Sequence, residues 1–178
     1  MKNICRIFLT AFITFSCVSG AFAQKSSIVV FYSLTGTTKD LAERIAKETQ
    51  SDLFALELIK PYPVNSKECD KASKADKQNN VQREFKAVPD ISKYDTVFIG
   101  TPVWTDDISN PVETFILQNV NELSKKTVIP FCTYWSTGST KVIEKIVALS
   151  RCKSTKNGLA QSHGKKADVK EWIKREGI

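Results

Sequence analysis

The chain has 178 residues, and 26 Lys and Arg against 19 Asp and Glu give a formal charge of +7. Hydrophobic residues make up 42% and charged residues 25%, which excludes a disordered tail, while 7 Gly and 6 Pro exclude a collagenous repeat. Only one long apolar stretch is present, so a multi-span membrane protein is excluded, and the length suits one domain with a sizeable core.

Residues 1–23 have the pattern of a cleaved secretory signal. Lys2 and Arg6 are basic, Ile7 to Val18 is apolar apart from Thr and Ser, and Ala21-Phe22-Ala23 precedes Gln24. The twelve-residue run is shorter than the roughly 20 residues a membrane span needs. A membrane anchor and a buried first strand are the alternatives. So is a lipoprotein at Cys17, although Thr14-Phe15-Ser16 makes a poor lipobox. The expectation is an exported, periplasmic protein whose mature domain is residues 24–178. Of five Cys, Cys5 and Cys17 lie in the leader, and Cys69, Cys132 and Cys152 remain. One disulfide at most can form, with Cys69 and Cys152 as a pairing an oxidising compartment would permit. Cys132 reads as a core thiol. With no CxxC and a single His, His163, no metal site of the Cys/His type is expected. His163 reads as a surface residue, with a contact to a bound ligand as the lesser alternative.

The rest of the chain alternates strands and helices. Ser26 to Tyr32 is apolar on both faces, as in a buried parallel strand. Lys39 to Gln50 follows as a helix with Leu41, Ala42, Ile45 and Ala46 on one face. Asp52 to Ile59 is a second strand, half exposed as at a sheet edge. Lys60-Pro61-Tyr62-Pro63 breaks the pattern. Residues 65–86 hold six Lys/Arg and four Asp/Glu with a thin apolar stripe of Cys69, Ala72 and Ala75. They read as a solvated helix or a partly mobile excursion, and mixed charge without interleaved aromatics argues against a nucleic-acid surface. Tyr94 to Thr101 is the third strand, stopped by Pro102. Asn110, as cap, opens a helix with Pro111 in its first turn. Val112, Phe115, Ile116, Val120 and Leu123 form the helix's inner face. Thr127 to Thr133 is the fourth strand, and Lys141 to Ser150 a helix. Gly158 to Ser162 is a short fifth strand, and Ala167 to Glu176 a final helix with Val169, Trp172 and Ile173 inward. This alternation implies a parallel sheet with helices on both faces. Ligands bind such folds beyond the carboxyl ends of the strands.

Three turns lie there. Ser33-Leu34-Thr35-Gly36-Thr37-Thr38 carries hydroxyls and one Gly at a helix N-terminus, which suits a phosphate monoester or a plain polar cap. It has no GxxxxGK[ST], so it is not a nucleoside triphosphatase loop. The second turn, Gly100 to Asp107, carries Trp104, which either stacks on a ligand ring or packs in the core. The third, Thr133 to Ser139, adds Tyr134 and Trp135, as a ligand wall or an unliganded surface loop.

Tyr32-Ser33-Leu34-Thr35-Gly36-Thr37-Thr38 after a strand resembles the phosphate loop of flavodoxins. Gly100-Thr101-Pro102-Val103-Trp104 and Pro130-Phe131-Cys132-Thr133 are similar to motifs of short bacterial flavodoxin-like proteins. The Lys60-Pro61-Tyr62-Pro63 turn and the Trp172 helix fit the same group, and the resemblance runs from Ile28 to Ile173. It implies a flavodoxin-like α/β/α sandwich with a five-stranded parallel sheet in the order 2-1-3-4-5. It also implies noncovalent flavin mononucleotide (FMN). Ser33, Thr35, Gly36, Thr37 and Thr38 would hold the phosphate. Pro102, Val103, Trp104 and Thr105 would flank the ring system, with Thr133, Tyr134, Trp135, Ser136 and Gly138 as the other wall. The chain departs from the group at Thr105, where a second Trp is usual, and at Asp106-Asp107, where a Gly is. Tyr134 and Trp135 are bulky for a Gly-rich loop. Near a flavin, Asp106 and Asp107 would disfavour its reduced anion and lower its potential; the alternative is that both simply cap a loop.

The function expected is electron transfer, or flavin-dependent reduction, outside the cytoplasm. A flavodoxin fold that has lost FMN and binds other molecules is the alternative, and a quinone reductase a third. The expected partner is a redox protein, acidic or membrane-associated given the positive charge, with no nucleic acid and no metal involved.

Overall fold

The computed structural model describes residues 26–178. The leader assigned to residues 1–23 lies outside the described residues. The elements run β1 (Ser27–Phe31), α1 (Thr37–Thr49), β2 (Asp52–Ala55), α2 (Ser66–Gln78), β3 (Thr96–Trp104), β4 (Asp107–Ile108) and α3 (Asn110–Gln118). They continue with α4 (Val120–Leu123), β5 (Thr127–Tyr134), α5 (Ser139–Ser150), β6 (Ser154–Thr155), β7 (Leu159–Ser162) and α6 (Val169–Glu176).

The sheet order is β2-β1-β3-β5, with β6 and β7 both beside β5, and all of these pairs are parallel. This is the expected order, with its fifth strand in two pieces. The split has a local cause. Pro130 in mid-β5 has no N–H to donate. Pairing with β6 ends at Val128↔Thr155 and resumes with β7 at Phe131↔Leu159. One extra residue is accommodated there, and at Gly158 a Cβ would come within 2.7 Å of the Ile143 side chain and 2.9 Å of the Pro130 carbonyl.

Strand alternation sends side chains into two cores. Ile28, Val30, Val97, Ile99, Val128 and Cys132 face the layer of α2, α3 and α5. Val29, Phe31, Phe98, Ile129 and Phe131 face α1 and α6, where Trp172 is buried. Trp172 meets Phe98 edge-on and donates its Nε1–H to the Asn157 carbonyl at 2.9 Å. β2 is the half-exposed edge strand, shorter than expected, with Leu53 outward and Leu56 and Leu58 buried beyond its end.

Three expectations need correction. β3 is not stopped by Pro102: it continues to Trp104 and pairs antiparallel with β4 as Val103↔Ile108 and Trp104↔Asp107. Asn110 is not the cap of α3, which begins after Ser109. Instead the Asn110 amide donates to the Ser73 carbonyl and accepts from the Ser73 hydroxyl, joining α3 to α2. Residues 65–86 are not a loose excursion but the solvated helix of the other reading, α2, with only Cys69 and Ser73 of that helix buried, and the segment is anchored. Asn65 caps α2 by accepting from the Lys67 and Glu68 amides. The Tyr62 hydroxyl donates to Asp76 at 2.5 Å, and Arg83 pairs with Asp76 at 2.7 Å while lying 3.8 Å over the Tyr62 ring.

The β3–β4 hairpin turns through Thr105 and Asp106, with φ of 53° and 55°. Two central residues at positive φ match a type I′ turn, which favours Asn-Gly. A β-branched residue is strained there. Thr105→Asn is expected to raise the unfolding free energy by about 1 kcal/mol, seen as a higher urea midpoint at constant slope. An unchanged or lower midpoint would show that Thr105 carries no strain.

Candidate functional site

Because β1, β3, β5 and β7 run the same way, the loops after them meet at one edge of the sheet. There they enclose a cleft of about 220 Å³. The first wall is the turn from β1 to α1. Gly36 is its left-handed hinge at φ 92°, and no side chain caps the α1 N-terminus. The first-turn amides of a helix have no partner within the helix, so they point outward with the positive end of the dipole. Thr35 and Thr37 are exposed beside them. The Ser33 Oγ accepts from the Gly36 N–H at 3.1 Å, which leaves its own proton to donate. Thr38 differs from the other hydroxyls. It is buried, and its hydroxyl shares a 2.8 Å hydrogen bond with the hydroxyl of Thr133 on β5. That bond joins the first turn to the third.

Trp104 at the end of β3 lines the cleft, yet its place is set by the core. Tyr32 and Tyr62 meet it edge-to-face at 5.6 and 5.1 Å. Burial pushes the Tyr32 phenol up to about 12 and raises that of Tyr62 further, with Asp76 adding to the second. Both stay protonated in neutral water. On the opposite wall, Tyr134 is half-buried and Trp135 is 74% exposed, its ring stacked on His163.

Ten of the fourteen expected site residues line this one cleft: Ser33, Thr35, Thr37, Thr38, Pro102, Val103, Trp104, Thr133, Tyr134 and Trp135. Gly36 contributes backbone geometry only. Three residues lie elsewhere. Thr105 is at the hairpin tip, pointing to solvent, and Ser136 is exposed outside the lining. Gly138, at φ 86°, is off the cleft and lets the third turn approach the hairpin, where a Cβ would come within 3.0 Å of Asp106. The Thr137 hydroxyl donates to Asp106 at 2.6 Å across this contact.

Sequence reasoning missed a whole wall. Val64, Ser66, Cys69 and Asp70, from the start of α2 and the turn before it, line the cleft, as do Leu34 and His163. Cys69 on the thin apolar stripe of α2 was the available signal, since a stripe that narrow must still face something. All three described cysteines are free, so Cys69 and Cys152 form no disulfide. Burial pushes the Cys69 thiol up to about 11 and that of Cys132 to about 12. Neither offers a thiolate nucleophile near neutral pH.

The acidic pair also stands differently from expectation. Neither Asp106 nor Asp107 lines the cleft. Asp107 pairs with Lys77 at 2.6 Å and Lys145 at 3.0 Å, and both lysines also reach Glu113. The charges of two acids and two lysines offset one another, which removes Asp107 as a source of negative potential at the cleft.

Burial pushes the Asp107 carboxyl up, but the bonds from Lys77 and Lys145 outweigh it and hold its pKa below the ordinary value. A depressed carboxylate stabilises the fold above its unfolded pKa and loses that contribution as pH falls through its folded one. Asp107→Asn should therefore cost about 1 kcal/mol at pH 7. The difference from the native chain should shrink below about pH 4. Urea unfolding at pH 7 and pH 3 checks this, and an equal cost at both would rule out the charged pairing.

The sequence profile of the flavodoxin family matches residues 26–176. No protein in the curated sequence set matches the chain. Among solved structures, a Lactobacillus acidophilus flavoprotein in complex with FMN is 23% identical, with a TM-score of 0.68 over 83% of this chain and 98% of its own. A Bacteroides eggerthii protein solved as a candidate flavoprotein is 24% identical, with a TM-score of 0.68 over 86% and 98%. A flavodoxin from the Archaea is 18% identical, with a TM-score of 0.56 over 86% and 94%. At these identities the structural likeness speaks for the fold, and the profile match for descent. From its sheet order, its cleft and that match, this chain belongs to the flavodoxin family.

Proposed function

We propose that the chain binds FMN in this cleft and acts as an electron carrier outside the cytoplasm. The observation that carries the reading is the cleft's two-ended chemistry. An uncapped helix N-terminus ringed by hydroxyls lies at one end, and Trp104 and Trp135 stand on its walls. That donor set fits a phosphate ester joined to a planar ring, and a structural neighbour solved in complex with FMN supports this choice of flavin.

When bound, FMN supplies the electron-transfer chemistry. The chain's own residues supply the rest. The Ser33, Thr35 and Thr37 hydroxyls and the first amides of α1 would meet the phosphate without a cationic side chain. Thr38 would offer its backbone N–H, and its buried hydroxyl ties this turn to Thr133. Trp104 is immobilised by Tyr32 and Tyr62 and would meet the ring without further ordering. No carboxylate other than Asp70 lines the cleft.

Three observations support the wider reading. Burial raises the Cys69 thiol and leaves the cleft without a cysteine thiolate near neutral pH, which fits a carrier. The segment at residues 1–23 supports export. Without Lys2 and Arg6 of that segment the formal charge of +7 falls to +5, which favours an acidic redox partner, or one held at an anionic membrane, through electrostatic steering.

Phosphate recognition is the part most open to test. Calorimetric titration should show FMN binding at least tenfold more tightly than riboflavin, given the strength of hydrogen bonds to charged groups. Thr37→Val should weaken FMN by about tenfold and leave riboflavin unchanged. Equal affinity for the two flavins would contradict the assignment of Ser33 to Thr38 as the phosphate site.

A further inference from the structure

Trp135 is 74% exposed, yet its ring is held. It lies on the imidazole of His163 with 3.7 Å between ring centroids and 24° between planes. The other ring pairs among the described residues all meet edge-on.

The stack follows from strand register. Tyr134↔Ser162 is the last paired position of β5 and β7. The His163 N–H then donates to the Tyr134 carbonyl at 2.8 Å. Trp135 and His163 are therefore the next residues out on adjacent parallel strands, whose spacing of about 4.8 Å brings like-directed rings face to face. Gly164 turns the chain away immediately afterwards, at φ 72°. Both rings line the cleft.

We propose that His163 is a positioning residue for the outer wall of the cleft. It backs one face of the Trp135 indole and leaves the opposite face for a planar ring bound there. An exposed indole without such a backing has to be ordered when ligand arrives, which weakens binding. Here the ordering is built into the β5–β7 register. The role needs a flat ring at position 163 and no particular charge, so an aromatic replacement should serve. The proposal rests on the FMN reading only for the identity of the planar ring.

The chain has a single histidine, so its ring protons give isolated NMR signals. In flavin-free protein the His163 Hε1 and Hδ2 signals are expected upfield of those of free histidine, shifted by the indole ring current. Trp135→Leu should return them to ordinary positions. Unshifted protons in the native chain would overturn the stack. For the cofactor, His163→Ala is expected to weaken FMN by about two- to tenfold, the scale of one aromatic stacking contact. His163→Phe should restore the affinity. Equal FMN affinity in the native chain and both variants would overturn the positioning role and leave FMN binding intact. A native chain that retains no FMN would instead overturn the function proposed above, and the proton shifts then decide the stack alone.

Discussion

The shared direction of β1, β3, β5 and β7 is the constraint on which the rest depends. Parallel pairing forces each connection to cross back over a face of the sheet, and it leaves every carboxyl end at one edge. Burial on both faces makes that arrangement stable. Val29 and Phe31 pack under α1 while Ile28 and Val30 pack under the opposite layer. A slip of one residue would exchange these two sets, so the apolar run on both faces also fixes where each loop emerges. The Thr38–Thr133 hydrogen bond then joins two of those loops across 95 residues of sequence. A buried hydroxyl pair of this kind holds well only when both partners are present, because either one alone would be left unsatisfied.

The cleft built on this edge is chemically lopsided. One end offers backbone amides and small hydroxyls, which suit a compact anion. The walls offer indoles and the apolar side chains Leu34, Val64 and Val103. Charge is largely kept out. Asp107 and Glu113 are paired with Lys77 and Lys145 away from the lining, and Arg83 is paired with Asp76 behind Tyr62. The two tryptophans are held in different ways. Trp104 is fixed from behind by two buried tyrosines, whereas Trp135 stands in solvent against one imidazole. The inner wall is therefore part of the core, and the outer wall is a side-chain extension of the sheet.

Much of this was legible in the chain, because the local signals and the global fold agree. β1 and α1 were clear from an apolar run followed by a 3.6-residue stripe, and the Ser33 to Thr38 turn from its hydroxyls. What was hidden depended on partners distant in sequence. Pro102 reads as a stop, yet β3 passes it and folds back on β4. Residues 65–86 left a loose excursion open as an alternative to a solvated helix because nothing local announces that Tyr62, Asp76 and Arg83 lock together. Asp107 reads as an acid that could act on a bound flavin until Lys77 and Lys145 are seen beside it. His163 is the surface residue it reads as, but only the register of β5 and β7 shows that it lies on Trp135. Side-chain pairing across the fold, rather than element type, accounts for each of these differences.

The claim that this cleft is a flavin site is tested most directly by the visible absorption spectrum of the purified chain, taken after FMN is added and the sample desalted. Retention of the two characteristic flavin bands with the protein is the expected result, because the cleft pairs phosphate donors with an already ordered aromatic wall. A colourless protein after desalting would contradict it. The uncapped α1 N-terminus and the Trp104 and Trp135 walls would then belong to a cleft that serves some other ligand.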